Sequence, residues 1–220
     1  MRPAFDPTLY LVTDTELSRP HGVTDVVRAG VAGGVTAVQV RDKRASRRAL
    51  YELTLAVREA LVDAPHVAVV VNDAVDVALL AGAHGVHVGQ DDLPPAKVRE
   101  LIGPDLVLGL SVGSADDLRR ALALPAGTVD VVGLSPVWGT PTKPDAGPGL
   151  GLAGIAALAA TARAGGLLSV AIGGIKAANA ADVWATAVDG ICVVSDICAA
   201  PDPALAARRL RGTLARREAS

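Results

Sequence analysis

The sequence predicts a (β/α)8 barrel, a TIM-barrel α/β fold forming one domain over residues 1–220, and three observations lead there. Short β-branched runs recur along the chain, each followed by a stretch rich in alanine, leucine and charge with helical period. That is the pattern of βαβ units around a parallel sheet. Most of the runs are continuously apolar instead of alternating, as strands covered on both faces must be. No Gly-x-Gly-x-x-Gly follows the first run, which weakens the alternative of a doubly wound dinucleotide-binding sheet.

In chain order, strands are predicted at Leu9 to Thr13, Ala37 to Val40, Val67 to Val71, Gly85 to Val88, Leu106 to Leu110, Val129 to Gly133, Leu168 to Ile172 and Gly190 to Val194. Helices are predicted near 23–32, 46–61, 74–81, 94–102, 115–124, 152–164, 178–187 and 203–217. Ser46 and Ser114 stand where N-caps belong, Ser114 with Asp117 three residues on as a variant capping box. Asp202 before Pro203 sets a capping acid ahead of a proline at the first helical position. Arg208, Arg209, Arg211, Arg216 and Arg217, late in the last helix, read as a solvated face that complements the helix dipole. The rhythm breaks once, in the segment 134–149, which carries Pro136, Pro141, Pro144 and Pro148 with Gly139, Gly147 and Gly149. A loop of that length inside a compact domain is a lid or binding loop, expected here to close over a site.

Composition excludes several classes of partner. Twenty-one Lys and Arg against 23 Asp and Glu leave a formal charge of −2, and aromatics make up 2% of the chain. A nucleic-acid binder needs surplus cations and stacking rings, so nucleic acid is not an expected partner. The longest weakly polar run, 150–160, stops at Thr161 and Arg163, short of the ~18 residues of a membrane span. Leu9 to Val12 gives way to Thr13, Asp14 and Glu16, too short a run for a signal peptide. The two cysteines, Cys192 and Cys198, form no disulfide framework and point to a reducing cytoplasm.

In a barrel of this kind the strand C-termini and the loops after them form the active face. Strand 2 runs into Gln39-Val40-Arg41-Asp42-Lys43, where alternation points Gln39, Arg41 and Lys43 the same way. Strand 3 ends at Asn72-Asp73, strand 4 at Gly89-Gln90-Asp91-Asp92 and strand 5 at Ser111. The proline-rich loop adds Thr140-Pro141-Thr142-Lys143, strand 7 ends in Gly173-Gly174 and strand 8 in Val194-Ser195. Two acids facing Arg41, Lys43 and Lys143 suggest Mg²⁺ held by one or two carboxylates and completed by phosphate oxygens, hence a pyrophosphate substrate. The glycines after strand 7 with a small hydroxyl residue after strand 8 match a barrel phosphate site, so two small-molecule substrates are expected.

Plainer readings stand beside these. Asp73 and Asp92 are each equally suited to capping the following helix, and Asp91 rivals Asp92 as a ligand. Gly173-Gly174 also suits a simple turn, and His87 reads as a satisfied buried histidine before it reads as a base.

Taken in order, Gln39-Val40-Arg41-Asp42-Lys43, Asn72-Asp73, His87-Val88-Gly89-Gln90-Asp91-Asp92, Gly109-Leu110-Ser111, Gly133-Leu134-Ser135-Pro136 with Thr140 to Lys143, Ile172-Gly173-Gly174-Ile175 and Val193-Val194-Ser195 resemble the thiamine-phosphate synthase family over nearly the whole chain. The resemblance implies a transferase. It joins 4-amino-2-methyl-5-hydroxymethylpyrimidine pyrophosphate to thiazole phosphate, or its carboxylated form, releasing pyrophosphate. It implies a pyrimidine-pyrophosphate grip by the 39–43 segment, Asn72, Ser111 and Lys143, with Arg41, Lys43, Ser111 and Lys143 as the catalytic set. It further implies Mg²⁺ on Asp73 and Asp92, and thiazole phosphate against Thr140, Pro141, Thr142, Gly174, Val194 and Ser195. Two residues depart from the pattern. Gly113 stands where many members carry histidine, and Asp196 stands where a small apolar residue is usual, predicting an extra negative charge near the phosphate. The competing expectations are a thiazole tautomerase-like isomerase, which lacks the pyrimidine-pyrophosphate grip, and a non-catalytic phosphate-ligand-binding barrel.

Overall fold

The structure is a computed structural model, which describes residues 5–139 and 149–215. Eight parallel strands close into a barrel in sequence order: β1 (Leu9–Val12), β2 (Ala37–Val40), β3 (Ala68–Asn72), β4 (Gly85–Val88), β5 (Val107–Val112), β6 (Val131–Leu134), β7 (Leu168–Ile172) and β8 (Gly190–Val193). Helices α1 (Val23–Ala32), α2 (Arg47–Ala60), α3 (Val75–Leu80), α4 (Pro95–Ile102), α5 (Ala115–Leu122), α6 (Gly151–Ala164) and α7 (Ala180–Trp184) follow the first seven strands. Two helices follow β8, a single turn α8 (Ser195–Cys198) and the long α9 (Pro203–Ala215).

Seven of the eight strands alternate between two apolar environments, which explains their hydrophobic runs; β4 turns Gly85 and His87 inward instead. Side chains such as Leu11, Val38, Val71, Leu108 and Ile191 point outward into the layer under the helices. Tyr10, Val12, Ala37, Val70, Val107, Val131, Val170 and Cys192 point inward and fill the barrel as a separate cluster. Burying a valine or leucine in this way contributes roughly 1.5–3 kcal/mol, so the doubly covered sheet is the main source of stability.

The N-terminal end of the barrel is closed by four matching clamps. The residue just before each even strand, Thr36, His84, Asp130 and Asp189, donates its backbone N–H to the carbonyl of Leu9, Val69, Leu108 and Ser169 respectively. Its side chain accepts the N–H of that same residue: Thr36 from Leu9 (3.0 Å), His84 Nδ1 from Val69 (2.9 Å), Asp130 from Leu108 (2.8 Å) and Asp189 from Ser169 (2.8 Å). The two acids are further bound by arginines, Asp130 by Arg99 (2.6 Å) and Asp189 by Arg163 (3.2 Å).

Predicted caps appear as hydrogen bonds. Ser46 Oγ accepts from the N–H of Ala49, Ser114 Oγ from Asp117 and Asp202 from Leu205. The boundaries differ in an informative way. β3 and β5 run on to Asn72 and Val112, so polar Asn72 and Ser111 lie within the strands instead of after them. β6 starts at Val131 because Asp130 is engaged in a clamp. α7 is five residues long, because its chain tightens into a turn that ends at Ala187 with φ of 65°. Arg216 and Arg217 lie outside the described residues.

Candidate active site

At the C-terminal ends of the strands a cavity of about 690 Å³ opens into the barrel, within the range of small-ligand sites. Its floor is formed by Tyr10, Val170 and Cys192. Burial pushes the ionisation of Tyr10 and Cys192 far above their ordinary values, so neither serves as an acid or base near neutral pH. Phe5 meets the Tyr10 ring edge-on at 5.7 Å, and the Tyr10 hydroxyl accepts from Gln39 Nε2 (3.3 Å), which steadies the Gln39 amide at the wall.

Strand alternation delivers the next groups. Gln39, Arg41 and Lys43 all line the cavity, while Val40 between them is fully buried in the layer under the helices. Asp42 is turned back on its own loop, its carboxylate accepting the N–H of Arg44 (2.9 Å) and Ala45 (3.1 Å). Burial works to raise its pKa. Hydrogen bonds from Thr15 and from those two amides, with the Arg44 charge, outweigh it and hold the group below the usual carboxylate range.

Asn72 and Asp73 come from the end of β3, Asp91 and Asp92 from the loop after β4. Neither Asp73 nor Asp92 caps the following helix: the residue before α3 is Ala74, the one before α4 is Pro94, and neither helix start has a side-chain cap. Asp92 instead folds over its loop to accept the Gly89 N–H (2.7 Å). Asp73 holds a left-handed φ of 60° in a segment anchored by its N–H to the His87 carbonyl (2.8 Å). Its pKa is raised, first by burial and then by the charge and hydrogen bond of Asp92; Lys43 and Asn72 oppose the shift only in part. Two carboxylates are therefore pressed together with an unmet demand for positive charge.

His87 points inward from β4 and its Nε2 lies 3.0 Å from Ser111 Oγ. The ring occupies space that side chains on β5 and β6 would otherwise fill: a Cβ on Gly109 would fall 2.3 Å from Nδ1, and one on Gly133 3.1 Å from Cε1. His87 is half-buried and lines the cavity, so its environment is the site itself.

Across the barrel mouth, four strands from β3, Gly173 and Gly174 follow β7 with φ of 117° and 70°. Gly173 also packs so closely on Pro136 that a Cβ would lie 2.8 Å from the proline Cβ. Gly174, Val194 and Ser195 line this wall, and Ser195 opens α8. Asp196 is turned away from the ligand space: its Oδ2 accepts the N–H of Ala177 (2.8 Å) and pins the loop after β7. The base of the proline-rich loop is stitched to the same wall, Val137 N–H to the Ile172 carbonyl and Trp138 N–H to Gly173. Thr140, Pro141, Thr142 and Lys143 lie outside the described residues.

Ten residues anticipated from the sequence thus share one cavity: Gln39, Arg41, Lys43, Asn72, Asp73, Asp92, Ser111, Gly174, Val194 and Ser195. Tyr10 and Asp117 also line it and were not anticipated, and Gln90 and Ser135, which stood in the motifs without an assigned role, line it as well. Ser135 had a legible signal, standing two residues after Gly133 as Ser111 does after Gly109.

A family model described as thiamine monophosphate synthase matches residues 9–197. The chain belongs to the thiamine monophosphate synthase family. Within it, a thiamine-phosphate synthase of Azorhizobium caulinodans is 47% identical over 207 residues, covering 94% of each chain. The thiamine biosynthesis multifunctional protein ThiED of Corynebacterium glutamicum is 46% identical over 94% of this chain, which spans 27% of that longer protein. Among solved structures, thiamine phosphate pyrophosphorylase from Pyrococcus furiosus superposes with a TM-score of 0.85 at 33% identity, covering 96% of this chain and 97% of that one. Family and barrel fold are therefore as the ordered motifs implied.

Proposed function

We propose that this chain is a thiamine-phosphate synthase of the cytoplasm, condensing 4-amino-2-methyl-5-hydroxymethylpyrimidine pyrophosphate with thiazole phosphate or its carboxylated form. One observation carries the reading. A single cavity combines the amide of β2 and the two cations just after it with the Asp73 and Asp92 pair, and faces both with Gly174 and Ser195. An isomerase of the thiazole phosphate alone has no use for the first two groups.

Asp73 and Asp92 fit Mg²⁺. They are hard oxygen donors under mutual repulsion, and among the described residues no group of three or more His, Cys, Asp or Glu forms a protein cage. Mg²⁺ characteristically takes one or two carboxylates and leaves its other positions to phosphate oxygens and water. When bound, the ion would neutralise charge on the departing pyrophosphate.

The protein groups divide the remaining work. Arg41 and Lys43, with Lys143, bind the pyrophosphate and stabilise the charge that grows as it leaves. The bond between the pyrimidine methylene and the bridging oxygen breaks, and its electron pair departs with pyrophosphate. Gln39 and Asn72 hold the ring, and Ser111 donates from its His87-steadied hydroxyl. The thiazole nitrogen then forms the new bond to the methylene cation. Gly174, Val194 and Ser195 across the cavity, together with Thr140, Pro141 and Thr142 of the proline-rich segment, hold the thiazole phosphate. No side chain acts as nucleophile, so catalysis is positioning and charge stabilisation.

The test is pyrophosphate release, measured with each substrate alone and with both, with and without Mg²⁺. Release is expected only with both substrates and the metal. Lys43→Ala and Asp73→Ala are each expected to lower kcat/KM by about 10²-fold or more. Wild-type rates in both variants would overturn the reading.

A further inference from the structure

Between β4, β5 and α5, three side chains and two backbone groups close into a ring at the rim of the cavity. Gln90 Nε2 donates to the carbonyl of Ser111 (2.6 Å), and Arg120 donates to Gln90 Oε1 (3.3 Å). Arg120 also donates to Asp117 Oδ1 (2.5 Å), while Asp117 Oδ2 accepts the N–H of Gly113 (2.9 Å). Ser111 and Gly113 stand two residues apart at the end of β5, so the circuit closes through the strand itself. Asp116 takes the other arm of Arg120 at 2.6 Å, fixing the guanidinium from a second side.

The ring ties together two elements whose relative placement matters to the site. Gln90 sits on the loop that carries Asp92, and that loop is already folded on itself by the bond from Gly89 N–H to Asp92. Ser111 is gripped at both ends, its hydroxyl by His87 and its carbonyl by Gln90. Arg120 does not line the cavity; it stands on the outer side of Gln90. An unbraced glutamine on an exposed loop would sample several rotamers, and ordering such a side chain carries an entropic cost. Here the ordering is supplied by α5 before any ligand arrives.

We infer that the Gln90, Arg120 and Asp117 ring is a positioning device that sets the Asp92 loop against Ser111, so that the cation-binding and pyrophosphate-binding groups are preorganised together. The inference rests on the metal and pyrophosphate roles proposed above. Arg120 and Gln90 act through Asp92 and Ser111 and are positioning residues. Exposed ion pairs contribute little to folding, whereas groups that orient a metal ligand change affinity or activity by 10- to 100-fold. The two roles are therefore separable by measurement.

The experiment compares the full-length protein with Arg120→Ala, Gln90→Ala, the double variant and Asp92→Asn. It measures Mn²⁺ binding to the free enzyme by paramagnetic resonance, KM for the pyrimidine pyrophosphate, and the melting temperature. Each single ring variant is expected to weaken Mn²⁺ binding about tenfold and raise KM, with melting close to wild type. The double variant should be no worse than either single one, because all three break the same circuit. Gln90→Ala, on a loop, keeps the test independent of any effect of Arg120→Ala on α5. Wild-type Mn²⁺ affinity and KM in both single variants, with Mn²⁺ binding lost in Asp92→Asn, would overturn the ring alone. Wild-type Mn²⁺ binding in Asp92→Asn would overturn the metal assignment and the ring with it.

Discussion

The two ends of this barrel use polar side chains in opposite ways. At the N-terminal end, Thr36, His84, Asp130 and Asp189 each meet a backbone N–H of the preceding strand, and both acids also meet an arginine. At the C-terminal end, Asp73 and Asp92 are set against each other, and Arg41 and Lys43 converge on the same open space. One end satisfies its polar groups from within the fold. The other leaves them for a ligand to satisfy, and the native state tolerates the resulting repulsion because eight buried strands supply the stability. The difference shows how one sheet divides folding and chemistry between its two edges.

That division can be broken at three points. Asp130→Ala removes a clamp and leaves the mostly buried Arg99 without its carboxylate, so it is expected to destabilise the fold by about 3 kcal/mol. Urea unfolding should report that loss while kcat of the folded enzyme stays near wild type; a collapse of kcat at unchanged stability would show that the two ends are not independent. Asp73→Asn should act in the reverse direction. It removes the like-charge repulsion with Asp92, and asparagine tolerates the left-handed φ of 60° at least as well as aspartate. A gain of about 0.5–1 kcal/mol in melting experiments without metal is expected, alongside loss of turnover. A lower melting temperature would mean that the charge pair is not a source of strain.

The smallest effect concerns pH. His84 must be unprotonated at Nδ1 to accept the Val69 N–H, and burial together with the Arg58 charge holds its pKa below the ordinary value. The unfolded chain therefore takes up a proton more readily than the native one. The stabilisation is full above the unfolded value near pH 6.5 and is lost as pH falls through the lower folded value. Urea midpoints measured through that range should fall on acidification by more in the wild type than in His84→Gln. Equal slopes would remove His84 from the clamp set.

Much of this was legible in residue order. The apolar runs located all eight strands, and the spacing Gln39, Arg41, Lys43 placed three groups on one wall because strand periodicity is two. Strand ends were less legible for a physical reason. Asn72 and Ser111 continue their strands although they are polar, since the upper barrel interior opens into the cavity they line, and Asp130 leaves β6 because its side chain replaces a ladder bond at the other end. The turn α8 falls between the strand expected to end at Val194 and the helix expected from 203, where no element was expected, because Ile197 and Cys198 carry no helical period over four residues. Asp117 looked like half of a capping box; its carboxylate reaches Gly113 and Arg120, a connection that only the packing of α5 on β5 reveals.

The placement of His87 constrains how this sequence can change over time. With its ring 2.3 Å from where a Cβ on Gly109 would sit, the two positions cannot vary in either order. A side chain at 109 needs the imidazole to swing aside or to be replaced first, whereas a smaller residue at 87 meets no such clash, though it gives up the contact with Ser111. Gly133 is less strictly bound, since 3.1 Å from Cε1 asks the ring to give by only a few tenths of an ångström. Lineages that descend from such a barrel therefore have an ordered gate at its centre: the imidazole must leave or swing aside before the wall behind it can be rebuilt for a ligand of another shape.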